Sequence, residues 1–200
     1  PLKLNSEVSL QAGMGSIDSS FSLQQLDLQT VSPMLVDLGV ILSGEFSAKG
    51  NPRINVTNEN IAVNSEQIVL ALTEFNVNYA PWIVEGASDV ITINNLNVTV
   101  LPSGVIQNLA TVVETQLNQG NVGLQTDDNS VVNWEEISLT TNLQLLDMQP
   151  NIGIEMINVT SLNLSEDRSL SEPAPILSIG QLLISDVKFN DNHLNIDAVS

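Results

Sequence analysis

The chain has no cysteine. That excludes a disulfide framework, a thiol nucleophile and a cysteine-ligated zinc site. It does not fix the compartment, although bacterial periplasmic and surface proteins manage without disulfides more readily than small extracellular animal domains. Histidine is confined to His193, so a catalytic triad or a histidine-based metal site has no second imidazole to draw on. Basic residues are scarce: five Lys+Arg stand against 23 Asp+Glu, for a net charge of -18. Lys3, Lys49, Arg53, Arg168 and Lys188 are too scattered to make the basic stripe that nucleic acid requires, and the acidity opposes attraction to an anionic membrane surface. Aromatics are 4% of the chain, so any core must be aliphatic. Charged residues are 14%, against roughly 25% in average globular proteins. The densest apolar run, residues 34–42, is broken by Asp37 and is too short to span a bilayer. No signal peptide is evident.

What is present is Leu, Ile and Val in doublets. Residues 177–196 set the pattern: Leu177 and Ile179, Leu182 and Ile184, Val187 and Phe189, then Leu194 and Ile196. A spacing of two puts both side chains on one face of an extended strand. The step from each of the first three doublets to the next is five. An odd step sends a regular strand's next doublet to the opposite face. Either both faces are apolar in patches, or a bulge resets the face every few residues.

The doublets recur along the chain. Leu2, Leu4, Val8 and Leu10 alternate with polar residues. Phe21 and Leu23 are followed by Leu26 and Leu28, and residues 36–42 read as a further strand after Pro33. Ile54 to Val77, Ile91 to Val98, Val132 to Leu145 and Ile152 to Leu164 continue the pattern. Between them, about Gly104 to Gln119 reads as one amphipathic helix. Val105, Leu109 and Val112 fall on one line and Ile106, Leu109, Val113 and Leu117 on the next, with Ser103 as N-cap and Gly120 as the stop. Residues 121–130 are polar and mark a possible internal break. Otherwise residues 1–200 read as one β-rich unit. With Pro1 at its start and a strand-like run before Ser200, it reads as a piece of a longer protein.

Sites for chemistry are sparse. Asp127-Asp128, Glu135-Glu136 and Glu166-Asp167 are adjacent acidic pairs, but neighbours on a strand face opposite ways and make poor carboxylate dyads. "DDNS" at Asp127 and "NDN" at Asn190 are oxygen-rich but lack the twelve-residue calcium-loop spacing. Asn55, Asn97, Asn158 and Asn163 open N-x-[ST] sequons. All four lie within strand-like runs, where a polar strand face explains them without sugar. No catalytic residue, metal ligand or cofactor motif is assigned.

Three runs carry a resemblance: "SLQQLDLQTVSPMLVDLGVILSGEFSAKG" (residues 22–50), "IGIEMINVTSLNLSED" (152–167) and "PILSIGQLLISDVKFNDNHLNI" (175–196). Their cadence is similar to the AsmA-like, TamB-like and DUF748-like group of bacterial envelope proteins. The resemblance rests on residue type. It implies a long antiparallel sheet, curved or rolled into a groove with an apolar concave face, in the periplasm or cell envelope. It also implies phospholipid handling between membranes, with any membrane contact made by parts outside these residues. An extracellular surface location is the alternative.

The physics leads the same way. A sheet with an apolar face needs a second layer, and one helix cannot cover some ten strands. If the sheet rolls incompletely, an apolar trough remains, in which each buried methylene is worth roughly 0.8 kcal/mol. Candidate liners for lipid acyl chains are Ile152, Ile154, Leu177, Ile179, Leu182 and Ile184, and closed-core packing explains them equally. A structural or adhesive β-solenoid is the other function class, though a solenoid keeps one repeat length. An enzyme ranks third, for want of a site.

Overall fold

The computed structural model describes residues 2–11, 14–124, 131–146, 149–165, 175–190 and 193–199. The doublets become strands: β1 (Leu2–Gln11), β2 (Met14–Asp27), β3 (Val40–Gly50), β4 (Arg53–Val56), β5 (Ile61–Tyr79), β6 (Trp82–Val100), β7 (Ile106–Leu124), β8 (Val131–Leu146), β9 (Gln149–Ser165), β10 (Pro175–Asn190) and β11 (His193–Val199). They form one antiparallel sheet in the order β1-β2-β3-β5-β6-β7-β8-β9-β10-β11. The short β4 continues the row of β3, since Gly50 lies opposite Phe21 and Arg53 opposite Asp18 on β2. Pro52, which has no N–H to give the ladder, sits in the gap. Its carbonyl accepts from the Ser19 N–H (3.0 Å) and hydroxyl (2.9 Å). At about 4.8 Å per strand the ten rows span roughly 43 Å. The mainly β class expected from the doublets, and the long antiparallel sheet that the resemblance implies, are the architecture observed.

The odd step is resolved by bulges. Gln25, Glu74, Asn95, Gln119, Ser161 and Asp186 each hold a left-handed φ of 47 to 54°. Five of the six lie in the gap of a doublet pair: Gln25 between Leu23 and Leu26, Glu74 between Leu72 and Phe75, Asn95 between Ile93 and Leu96, Ser161 between Val159 and Leu162, Asp186 between Ile184 and Val187; Gln119 lies between Leu117 and Gly120. One residue in that conformation resets strand parity. Both doublets therefore stay on one face, as the pairing confirms: Leu42 opposes Val77 and Phe46 opposes Leu72, on either side of the Glu74 bulge. Gly44, with φ 107°, faces that bulge, and a side chain there would stand 2.6 Å from Phe75 Cα.

Residues 104–119 are not a helix. Leu101 to Val105 form a turn, with Gly104 at φ 83° and its N–H bonded to the Leu101 carbonyl (2.8 Å); β7 then runs from Ile106. The reading failed because a spacing of four satisfies both structures. Leu109, Val113 and Leu117 share a helix face, and an even spacing also shares a strand face. The β-branched residues Thr111, Val112, Val113 and Thr115 decide for the strand. Residues 36–42 are also only partly a strand: 3-10 turns occupy Leu28–Thr30 and Ser32–Leu38, and β3 opens at Val40. Of the polar stretch 121–130, residues 121–124 complete β7 and the remainder lies outside the described residues.

Candidate functional site: an apolar sheet face

All six candidate liners fall on the same face of two adjacent strands. Leu177 lies opposite Leu164, Ile179 opposite Leu162, Leu182 opposite Val159 and Ile184 opposite Ile157, while Ile154 and Ile152 oppose Val187 and Phe189. Directly opposed residues in an antiparallel pair point the same way, so the six candidates and their partners from Ile157 to Leu164 and at Val187 make one stripe roughly 35 Å long at 3.3 Å per residue. Ile152 and Leu177 are 40% and 52% exposed, and Ile154, Ile179, Leu182 and Ile184 are half-buried.

The stripe is part of a larger surface. Across β8, Ile137 and Leu139 oppose Val159 and Ile157. On β7, Leu117 opposes Ile137 and Val113 opposes Thr141. On β6 and β5 come Ile91 with Leu70 and Ile93 with Ile68. Only the β9 and β10 residues stand out in the sequence, because their doublets are the most regular. The rest needed the register.

Among the described residues the substantial backbone approaches are between hydrogen-bonded neighbours, or between β3 and the 3-10 turns. No described element lies over the apolar face as a second layer. The buried apolar side chains among the described residues are Phe75, Val159 and Val187. The chain's accessible surface is 12713 Å², against about 9,200 Å² expected of a compact monomer of this mass.

The opposite face is polar. Ser43, Asn76, Glu85, Asn121, Asn133, Asn163 and Ser178 form one row across seven strands. Glu85 accepts from Asn76 Nδ2 (2.6 Å) and Asn121 Nδ2 (3.0 Å); Asn163 Nδ2 donates to Asn133 Oδ1 (3.3 Å), and the Ser178 hydroxyl to Asn163 Oδ1 (2.6 Å). The sequon residues Asn55, Asn97, Asn158 and Asn163 stand on strands of this sheet, and Asn158 accepts from Gln181 (3.5 Å). A shallow hollow of about 840 Å³ near Asp18, Arg53, Asn64 and Glu66 is lined mainly by polar side chains.

Asp89 interrupts the apolar face, opposite Leu72 and Leu117. It is 6% exposed, and its Oδ1 accepts the Asn118 N–H (3.0 Å) beside the Gln119 bulge. Burial among apolar neighbours pushes its carboxyl above the ordinary range, and the Asn118 hydrogen bond only partly offsets that.

The acidic pairs do not assemble. Glu135 accepts from Ser161 (3.0 Å) and Glu136 from Gln116 (3.3 Å). Asp127-Asp128 and Glu166-Asp167 lie outside the described residues, as do Asp191-Asn192 of "NDN" and the side chain of His193. Among the described residues no group of His, Asp and Glu is arranged to hold a metal, and no helix is long and apolar enough to cross a membrane. No protein-family model matches the chain, nor does any curated protein or solved structure.

Proposed function

We propose that this is a non-catalytic lipid-handling protein of the bacterial envelope, whose apolar sheet face binds or conducts acyl chains between membranes. The observation that carries this reading is the mainly aliphatic face from β5 to β10, broken by Asp89, half-buried rather than sealed, with no second layer over it among the described residues. Half-exposed Leu and Ile side chains leave apolar area in water, and covering it is favourable by about 25 cal/mol per Å². An acyl chain has the apolar character and the linear shape to lie along such a stripe. At roughly 35 Å the stripe exceeds half the 30 Å hydrocarbon core of a bilayer, so one chain fits lengthwise. The AsmA-like cadence of residues 152–167 and 175–196 agrees with the same reading.

Gentle purification followed by native mass spectrometry tests it. The expected result is co-purified phospholipid, reduced in a Leu182→Asp/Ile184→Asp variant of retained β-structure. Protein that emerges lipid-free, and that takes up no phospholipid when offered it, overturns the proposal. That result favours a structural or adhesive sheet, for which the seven-strand polar row would be the relevant feature.

A further inference from the structure

We infer that one end of the sheet is a contact surface for an electrically neutral lipid bilayer. Two segments meet there. The 3-10 turn Ser32–Leu38 leads into β3, and the Tyr79–Trp82 hairpin lies beside it, because Val40 opposes Tyr79 and Tyr79 opposes Trp82. Their side chains are exposed and apolar: Met34 81%, Leu38 66%, Val36 61%, Tyr79 54% and Trp82 48%. The turn is anchored. Buried Ser32 accepts the Leu42 N–H on its hydroxyl oxygen (3.0 Å), and Gly39, at φ 71°, closes the far end by donating to the Leu35 and Val36 carbonyls. Met34, Val36 and Leu38 are therefore exposed on an anchored backbone.

The composition of this end selects the partner. The chain has one Tyr and two Trp, and Tyr79 and Trp82 are both here, beside the aliphatics. Amphipathic rings flanking aliphatic side chains suit the headgroup level of a membrane, where one edge is wet and the other dry. Residues 28–42 and 76–86 contain Asp37 and Glu85 and no Lys or Arg. Anionic lipid is captured by basic clusters, so this end fits a zwitterionic surface. The family resemblance implies membrane contact through parts outside residues 1–200; the inference adds a contact within them. The inference does not need the acyl-chain reading of the sheet face, because vesicle binding and lipid cargo are measured separately.

The test is flotation with phosphatidylcholine vesicles, and with vesicles in which part of the lipid is phosphatidylglycerol. The wild type should float with the first and less with the second, the difference shrinking as salt screens the charge. Met34→Asp/Leu38→Asp should lower the bound fraction about tenfold with an unchanged urea midpoint, since both side chains are solvent-exposed. In a Trp134→Phe protein, emission from Trp82 should shift to the blue on vesicle binding. Absence of flotation, flotation that the double variant retains, or self-association that the variant abolishes in place of flotation would each overturn the inference.

Discussion

The indole of Trp134 fills the space that a side chain at Gly120 would occupy. The two residues are directly paired across β7 and β8, and a methyl group at position 120 would overlap Trp134 Cζ2 and Cε2. Two further pairs repeat the device: Phe75 over Gly86 and Phe21 over Gly50. A ring laid over a glycine on the facing strand restores the apolar contact that the glycine lacks.

Gly120→Ala should therefore destabilise the sheet by about 1–3 kcal/mol, the usual cost of overpacking. Most of that cost should vanish in a Trp134→Leu background. Urea midpoints of the two single variants and the double variant close the cycle. Equal costs in both backgrounds would show that the ring does not occupy that space in solution.

The left-handed residues give a second expectation. A non-glycine residue in that region costs roughly 1–2 kcal/mol, and more when β-branched. Glu74→Val should destabilise by at least about 1 kcal/mol, and Glu74→Gly should be neutral or stabilising. If position 74 kept parity as a regular strand residue, Val would be the better β-former and the order would reverse.

The doublets made both outcomes at these gaps legible, a reset or two apolar faces, but not the choice between them. That choice depends on cross-strand register, which a single chain does not write down: Leu72 and Phe75 share a face only because Asp89 and Gly86 accept that register on β6. The same limit produced the helix at residues 104–119, where Leu109, Val113 and Leu117 satisfy both periods and only the run of β-branched residues around them speaks for a strand. That Ile152, Ile154, Leu177, Ile179, Leu182 and Ile184 belong to apolar strand positions was legible because their doublets are regular. Asp89, and Thr115 opposite Leu139 on the same face, were not, because a polar residue at an apolar register position looks like the other face.

Asp89 should leave a distinctive pH signature. Its carboxyl is raised above the ordinary value of 3.8, chiefly by desolvation. In the window between that value and the raised folded one, the folded state binds more protons than the unfolded state. Its contribution to stability therefore grows as pH falls, the reverse of a salt-bridged aspartate. Comparing the wild type with Asp89→Asn from pH 7 downward isolates this group from the other carboxylates. The difference should move in the wild type's favour as pH falls towards 3.8 and then level off. A difference that is flat with pH would mean the carboxylate is solvated in the folded protein.

The acyl-chain proposal makes a quantitative demand that a nonspecific apolar patch does not. A fully buried methylene is worth roughly 0.8 kcal/mol, about fourfold in affinity, and one lying on a half-covered face should contribute about half that energy, or about twofold. Saturated fatty acids of increasing length should therefore bind about twofold more tightly per added carbon. The increments should continue until the chain outruns the stripe from Leu177 to Ile152. Trp134, on this face of the sheet, reports occupancy by its emission in a Trp82→Phe protein. Because the contact is spread over many side chains, Ile179→Ala alone should weaken binding only a few-fold, whereas Ile154→Asp/Leu182→Asp should flatten the chain-length dependence. Affinity independent of chain length, or lost outright with Ile179→Ala, would mean that the ligand sits in one small pocket and not along the strands.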